Sequence, residues 1–369
     1  MRAMVMFAGL LILVGLTPAA QVVNPDTPKK GEYRFPLREV WSLEGPGDGF
    51  WGDIYSIIVS DDGRLCVYDW KTLKYHILDE TGQLLHTFGR KGEGPGEIRR
   101  IEQAPLMNAG DRIAVIDEQL IHYFDWSGKY LNTARNITGR PPVVFLDEHT
   151  LISAPRSLLE ARDTKAQVER VDLKSGRKEV ITSFSIYDGG VIRSDRGSAN
   201  VVFGGITPMV EVAIHEGRLI YGVSDTYRVT ITGTDGKVAS VFSVDRPKAR
   251  VKRDDITRRL VERAGGKAPR ELLERLAATL PTEQTYFSNI EVHGGLIYVF
   301  TVDFYATHTT HIDIFSFQGE YLYRGVLAVD PQFNMLRRRF AGRHAYLVLE
   351  DEEGEQILVK YTITLPATD

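Results

Sequence analysis

Apolar and polar positions alternate most regularly in residues 54–98. Four apolar runs, at 55–59, 64–68, 74–78 and 84–88, are separated by the polar turns Asp-Asp-Gly, Asp-Trp-Lys-Thr and Asp-Glu-Thr-Gly. Runs of about five residues with aromatic and β-branched side chains between tight turns predict four antiparallel strands in a meander. Because a single meander leaves its apolar surface open to water, the pattern is expected to recur along the chain.

The meander recurs through the rest of the sequence. The turn between its third and fourth strands ends in a glycine, and these glycines are Gly82, Gly128, Gly176, Gly236, Gly319 and Gly354. Its second strand recurs as a continuous apolar run, at 65–68, 113–116, 151–152, 219–221, 296–300 and 345–349. Continuous apolar runs suit strands that are buried on both faces. A period of about 45–50 residues built from four strands is typical of propeller blades.

The two ends of the chain complement each other. The last meander, at 333–364, has only three strands, whereas the segment 33–43 is an additional strand before the first meander. This segment ends in Glu-Gly-Pro-Gly, as does the loop that follows the fourth strand of the first meander. We therefore expect 33–43 to be the fourth strand of the last blade, which closes the ring and removes open sheet edges. The sequence predicts an all-β, six-bladed β-propeller over residues 33–369, closed by its N-terminal strand.

The first meander resembles an NHL repeat. The matching positions are Gly63, Leu65, Val67, Asp69, Asp79, Gly82, Phe88 and Gly89, with Thr72 and Lys74 where the repeat usually has Asn and Arg. The following Gly-Arg-Lys-Gly-Glu-Gly-Pro-Gly-Glu is similar to the same loop in six-bladed propellers of exported bacterial proteins. The resemblance implies the fold but no catalytic residue, because the repeat's signature positions are structural. Members of this family range from binding platforms to metal-dependent lyases and lactonases.

The N-terminus has the order of a secretory signal peptide. A basic residue, Arg2, precedes an apolar run at 4–16 and the small residues of Thr-Pro-Ala-Ala. This order predicts a signal peptide at 1–20, the alternative being an uncleaved anchor, followed by a flexible leader at 21–32. An exported protein, periplasmic or extracellular, is the expectation, with no stable membrane span after cleavage. The single cysteine, Cys66, lies in an apolar strand and is expected to be a buried hydrophobic residue.

The insertions are expected on one face of the propeller. Loops joining strands two and three of a blade, and crossings between blades, share one face; the remaining turns share the other. The long segments 154–165, 187–208 and 245–284 all belong to the first set, which we call the loop-rich face. The longest contains two amphipathic helices within about 252–281, the first capped by Asp254 and ended by Gly265, the second begun by Pro269.

The longest insertion carries a local excess of positive charge. The net charge is −4, which gives no general attraction to nucleic acid. Residues 245–281 nevertheless contain eleven Lys or Arg against six Asp or Glu. This local excess indicates either a solvated helix surface or a cationic lid that recruits an anionic ligand, a glycan or a protein. The candidate ligand-binding residues, all expected on this face, are Trp51, Asp53, Arg90, Lys91, Arg258 and Arg259.

A metal site is a second candidate. Four aspartates follow the second strand of a blade: Asp69, Asp117, Asp225 and Asp303. They either shape turns through bonds to backbone N–H groups or hold Ca²⁺ or Zn²⁺ at the mouth of the channel. No His-Glu-x-x-His, Gly-x-Ser-x-Gly or P-loop motif occurs, so the sequence identifies no catalytic residue. The primary hypothesis is a ligand- or protein-binding platform at the cell envelope. The alternative is a metal-dependent hydrolase or lyase, similar to a lactonase, with its site at the channel mouth.

Overall fold

The structure, a computed structural model, describes residues 20–101, 104–138, 142–155, 165–185, 191–194 and 197–367. Before the first blade lie three strands, β1 (Ala20–Pro25), β2 (Glu32–Arg34) and β3 (Leu37–Leu43). Blade 1 is formed by β4 (Ile54–Val59), β5 (Leu65–Asp69), β6 (Lys74–Leu78) and β7 (Leu84–Phe88). Blade 2 is formed by β8 (Leu106–Asn108), β9 (Arg112–Asp117), β10 (Leu120–Asp125) and β11 (Tyr130–Arg135).

The remaining blades follow in chain order. Blade 3 is formed by β12 (Pro142–Phe145), β13 (Thr150–Ser153), β14 (Lys165–Asp172) and β15 (Lys178–Ser185). A hairpin of β16 (Val191–Ser194) and β17 (Gly197–Asn200) precedes blade 4, which is formed by β18 (Val210–His215), β19 (Arg218–Val223), β20 (Arg228–Gly233) and β21 (Val238–Asp245). Two helices, α1 (Arg253–Ala264) and α2 (Arg270–Thr279), separate it from blade 5. Blade 5 is formed by β22 (Phe287–His293), β23 (Leu296–Thr301), β24 (Thr309–Phe315) and β25 (Tyr321–Ala328). Blade 6 is formed by β26 (Asn334–Ala341), β27 (His344–Glu350), β28 (Gln356–Ile363) and the N-terminal β3.

The predicted six-bladed propeller, closed by its N-terminal strand, is confirmed. β3 pairs antiparallel with β28, from Leu37 opposite Ile363 to Leu43 opposite Leu358. At the end of the loop that follows β3, the indole N–H and backbone N–H of Trp51 donate to the carbonyls of Leu43 and Glu44. These bonds connect the closing strand to the start of blade 1, so the ring has no open edge between its first and last blades.

The core lies between the blades. Among the described residues, one apolar cluster fills each of the six blade interfaces. The second strands are central to these clusters: every residue of β5 is buried, as are the last five of β9. This is the burial that the continuous apolar runs predicted, since a strand between two blades meets apolar neighbours on both faces. Cys66 lies in β5 and is fully buried, as expected.

The N-terminal arm, residues 20–43, differs from the expected flexible leader at 21–32. β1 pairs in parallel with β21 along the outer edge of blade 4, and β2 pairs in parallel with β25 of blade 5. The amide of Asn24 bonds across the arm, donating to the carbonyls of Ser243 and Gly319 and accepting from the N–H of Tyr321. Unpaired strand edges offer backbone donors and acceptors, so a polar segment can form ladder bonds there without an apolar pattern of its own. The expected signal segment at 1–19 lies outside the described residues.

The helical insertion lies within the predicted range. Gly265 ends α1 in the left-handed conformation with φ 52°, and α2 begins immediately after Pro269. The N-cap of α1 is Lys252, however, and not Asp254, which lies in the first turn where its charge favours the helix dipole. Within the described part of the chain, neither helix combines the length and apolar character that crossing a membrane requires.

Candidate functional site

The insertions of the loop-rich face pack on one another. A separate apolar cluster joins Phe203 and Ile206 of the crossing from blade 3, Ile256 and Leu260 of α1, and Phe304 of blade 5. We call this assembly, residues 201–206, 246–286 and 302–305, the cap. Polar contacts support it: the Tyr305 hydroxyl donates to Asp255 at 2.9 Å, and Arg263 contacts the carbonyl of Val202 at 3.3 Å. Most of the predicted insertion at 154–165, namely residues 156–164, lies outside the described residues.

Two of the predicted ligand-binding residues are structural. Trp51 was expected to project from the loop-rich face, but it is 6% exposed and packs edge-on against His76 at 5.7 Å. Its position in the closure between blades 6 and 1 explains this burial, which the spacing of the loops alone did not indicate. The backbone of Asp53 bonds to Asp69 and Trp70, fixing the entry to β4, and its side chain is half-buried.

The basic residues differ in accessibility. Arg90 is exposed and forms an ion pair with Glu97 at 3.1 Å, and Lys91 forms a backbone bridge to Ile98. Arg258 is exposed beside Asp255 at 2.8 Å. Arg259 lies over the ring of Phe304 at 4.1 Å, so it stabilises the cap by a cation–π contact. Arg90 and Lys91 lie in the loop after β7, whereas Arg258 and Arg259 lie on α1.

The first two predicted metal ligands shape turns. The carboxylate of Asp69 accepts bonds from the backbone N–H groups of Gly52, Asp53, Lys71 and Thr72, at 2.9–3.3 Å. Asp117 accepts equivalent bonds from Arg99 and Arg100 at 2.7 and 3.1 Å. Each aspartate therefore fixes the loop that enters its own blade, which is the structural alternative that the sequence left open.

The other two aspartates lie in a different register. Asp225 and Asp303 follow their strands by two residues, whereas Asp69 and Asp117 are the last residues of theirs. Burial raises the pKa of Asp225, opposed by the charge of Lys248, and Asp303 accepts the N–H of Tyr305 at 3.0 Å. Throughout the described ranges, no three His, Cys, Asp or Glu side chains are grouped so that they could hold a metal ion.

Sequence analysis missed a cleft at the base of the cap. It has a volume of about 500 Å³ and forms where the N-terminal arm, the end of blade 4, blade 5 and the start of the helical insertion meet. Its polar lining includes Asp26, Arg246, Arg250, Gln284, His311, Asp313 and Arg324. This volume is in the range of small-molecule sites, and the mixture of cations, anions and amides suits a polar ligand.

A partly buried ion network, centred on Asp313, forms the floor of this cleft. Asp313, 1% exposed, accepts bonds from the hydroxyls of Tyr227 and Tyr321 and pairs with Arg246 at 2.8 Å. Asp26 of the arm binds Arg246 and Arg324 at 2.6 and 2.5 Å. Burial opposes the charge of Arg246, but Asp313 and Asp26 outweigh it and raise its pKa. The network therefore holds two cations against two anions in fixed geometry and couples the arm to blades 4 and 5.

One signal could have indicated this network. Asp313 interrupts the apolar sequence Ile-Asp-Ile-Phe of a third strand, and a charged residue at a core position requires partners. Its partner Asp26 lies in the segment expected to be flexible, so the sequence did not bring the two together.

Comparisons with known proteins agree with the fold. Residues 22–179 match a family model described as a 6-bladed beta-propeller. No curated protein matches the sequence.

Two solved structures are similar over almost the whole chain. A protein of Bacteroides fragilis described as exported is 11% identical with a TM-score of 0.53, and the match covers 94% of this chain and 100% of that one. A member of the duf4221 family from Bacteroides vulgatus is 10% identical with a TM-score of 0.51, covering 89% of this chain and 98% of that one. At these identities the similarity concerns the fold alone.

Proposed function

We propose that this protein is an exported binding platform, periplasmic or extracellular, whose cap and adjoining cleft hold a protein, glycan or small-molecule ligand. The observation that carries the proposal is the shared core of the cap, in which separate insertions of the loop-rich face pack on Phe203, Leu260 and Phe304. Loops carried on one face of a rigid scaffold are where binding residues are most often found. The cleft adds a concave surface with polar groups in fixed positions.

Two further observations support the proposal. The N-terminal sequence has the order of a secretory signal peptide, and one similar structure is described as that of an exported protein. The cap also presents exposed cations: the side chains of Arg250 and Arg258 are 81% and 62% exposed. Exposed arginines beside a cleft suit recognition of carboxylate, phosphate or sulfate groups. No observation on the described residues favours the enzyme alternative.

Site-specific photo-crosslinking in the native host tests the proposal. A photoreactive amino acid at Arg250 or Arg258 places the probe beside the cleft or on the cap. The matched control positions are Arg177 and Lys237, which are 74% and 88% exposed in turns of the opposite face. We expect discrete adducts, identified by mass spectrometry, from the cap positions and none from the controls. The same adducts from both faces, or adducts from the controls alone, would contradict a platform on the cap.

A further inference from the structure

The cleft at the base of the cap is lined by polar groups of two kinds. Those of its floor are already matched, because the two arginines there are paired with Asp26 and Asp313. The part of the lining that belongs to the cap is different, and it includes Gln284 and residues of the turn 303–305 that follows β23. The hydrogen-bonding groups that remain for a ligand lie on this side of the cleft.

Gln284 keeps a free amide nitrogen in the cleft lining. The residue is only 6% exposed, and its side-chain oxygen accepts the backbone N–H of Phe304 at 3.0 Å. Because a backbone N–H can only donate, this bond fixes which end of the amide is oxygen and which is nitrogen. Among the described residues, the nitrogen has no acceptor of its own. The buried side chain therefore retains two N–H donors for a ligand.

Asp303 supplies an acceptor beside this donor. Its Oδ1 accepts the N–H of Tyr305 at 3.0 Å, which closes the turn, and its carboxylate forms no ion pair within the described part of the chain. The N–H that Gln284 holds belongs to Phe304, the next residue, so one peptide group brings the two side chains to the same place. Asp303 is exposed, and its second oxygen can accept a further hydrogen bond.

Tyr305 adds an aromatic surface to the same side of the cleft. Its ring meets Phe304 edge-on at 5.3 Å, and its hydroxyl donates to Asp255 at 2.9 Å, so the side chain is held at both ends. The residue is nevertheless 49% exposed. A tyrosine whose hydroxyl is already bonded offers a ligand the apolar face of its ring.

This combination of groups suits a sugar. Each hydroxyl of a sugar ring both donates and accepts, so it is best met by an acceptor and a donor side by side. Asp303 and Gln284 form such a pair, and the C–H face of the ring can pack on the aromatic surface of Tyr305. A simple anion would leave the carboxylate unpaired beside it, and a simple cation would leave the amide donors unused.

We propose that the cleft binds a sugar unit, as a monosaccharide or at the end of a glycan, with Asp303 and Gln284 on its hydroxyls and Tyr305 against its ring. The volume of about 500 Å³ is in the range of sites for small molecules. The inference deepens the proposed function and rests on it, because it names the class of ligand that the cleft holds.

A glycan array followed by calorimetry tests the inference. The labelled protein is applied to an array of neutral, uronic-acid and sulfated glycans, and the neutral glycan that binds best is then titrated in solution. We expect neutral glycans to bind, because the arginines of the floor are already paired. The variant Asp303→Asn keeps the acceptor for the N–H of Tyr305 and replaces the free oxygen by an amide nitrogen. It should bind at least about tenfold more weakly.

Gln284→Glu makes the complementary change. The carboxylate still accepts the N–H of Phe304 but has no donor, so the affinity should fall by a similar factor. If this variant does not fold, Tyr305→Leu takes its place, since it removes the exposed ring from the other side of the ligand and should also weaken binding.

Asp235→Asn is the matched control. Oδ1 of Asp235 accepts the N–H of Lys237, two positions on, as Asp303 does in its own turn, but it lies in an exposed turn of the opposite face. This variant should bind like the wild type. The midpoints of thermal unfolding of Asp303→Asn and Asp235→Asn should both stay close to that of the wild type, so a loss of affinity is not a loss of folding.

The inference is wrong if no neutral glycan binds, or if only uronic-acid or sulfated glycans bind, since the site then recognises charge. It is also wrong if Asp303→Asn binds like the wild type, or if Asp235→Asn loses as much affinity. Crosslinking at Arg258 does not depend on Asp303. Protein adducts there without glycan binding would reject this inference and leave the platform standing.

Discussion

At the level of single residues, blades 1 and 2 share a histidine and the threonine that it hydrogen-bonds. His76 of blade 1 and His122 of blade 2 occupy equivalent positions on the third strand, each directly opposite a threonine of the fourth. Their Nδ1 atoms hydrogen-bond to Thr87 and Thr133 at 3.0 and 2.9 Å, while both Nε2 atoms are buried without a hydrogen bond. The conserved spacing within this one chain indicates that a repeat carries its polar contacts as well as its apolar pattern.

The surroundings of these histidines favour the neutral imidazole. Burial lowers the pKa of His76, with Lys74 acting in the same direction and Asp69 opposing. Burial also lowers the pKa of His122, opposed by Asp117, whose carboxylate is 3.6 Å from Nε2. In both cases the folded protein resists protonation more than the unfolded chain does. The stability that follows is present above the ordinary pKa of 6.5 and is lost as the pH falls through the lower, folded value.

The pH dependence of unfolding should therefore change when both histidines are replaced. We expect the unfolding midpoint of the wild type to fall between about pH 7.5 and about pH 5, and to fall less in the double variant His76→Gln, His122→Gln. Thermal unfolding followed by circular dichroism at both pH values measures this. His86→Gln, at an exposed position of blade 1, is the control and should keep the wild-type pH dependence. Equal pH dependence in all three proteins would refute the argument.

At the level of elements, sequence periodicity predicted strands well where burial decides the pairing. The bounds predicted for the third and fourth strands of blade 1 coincide with β6 and β7, and those of its first two strands differ by one residue. β1 was missed, and residues 33–34 of β2 were assigned to the closing strand of blade 6, because both strands pair through backbone groups on an outer edge and carry no regular apolar pattern. Apolar periodicity cannot indicate such a strand, since its pairing does not depend on apolar side chains.

Hydrogen exchange would reveal these missed strands directly. We expect the amides of β1 and β2 to exchange more slowly than those of the exposed loop 47–50, because the ladder to β21 and β25 protects them. Exchange should be measured by mass spectrometry on the intact protein. The variant Asp26→Ala, which removes the ion pairs of the arm with Arg246 and Arg324, should accelerate exchange in both strands. If residues 20–34 exchange as fast as the loop, the arm is not held by these ladders and the flexible leader predicted from the sequence is correct.

At the level of the whole molecule, the closed ring could be predicted because two separate features of the sequence indicate it. The last blade lacks a strand, and an unassigned strand stands before the first. The candidate sites could not be predicted in the same way, because they join residues from unrelated positions. The cleft, for example, joins Asp26, Arg246 and Asp313. Only the arrangement of blades around the axis brings such residues together, and no local pattern encodes it.

Because β3 closes the ring while β1 and β2 only cover edges, stepwise truncation should separate their contributions. Compared with a chain that starts at residue 20, starting at 27 removes β1, and starting at 35 also removes β2. We expect each step to lower the free energy of unfolding by on the order of 1–2 kcal/mol.

Starting at 44 also removes β3, whose Trp41 and Leu43 pack on the cluster between blades 6 and 1. This loss should exceed about 5 kcal/mol, comparable to the stability of a whole domain, and abolish cooperative unfolding. Chemical denaturation of the four chains measures the series. If the chain that starts at 44 unfolds cooperatively at a denaturant concentration near that of the longer chains, the ring does not depend on its N-terminal strand.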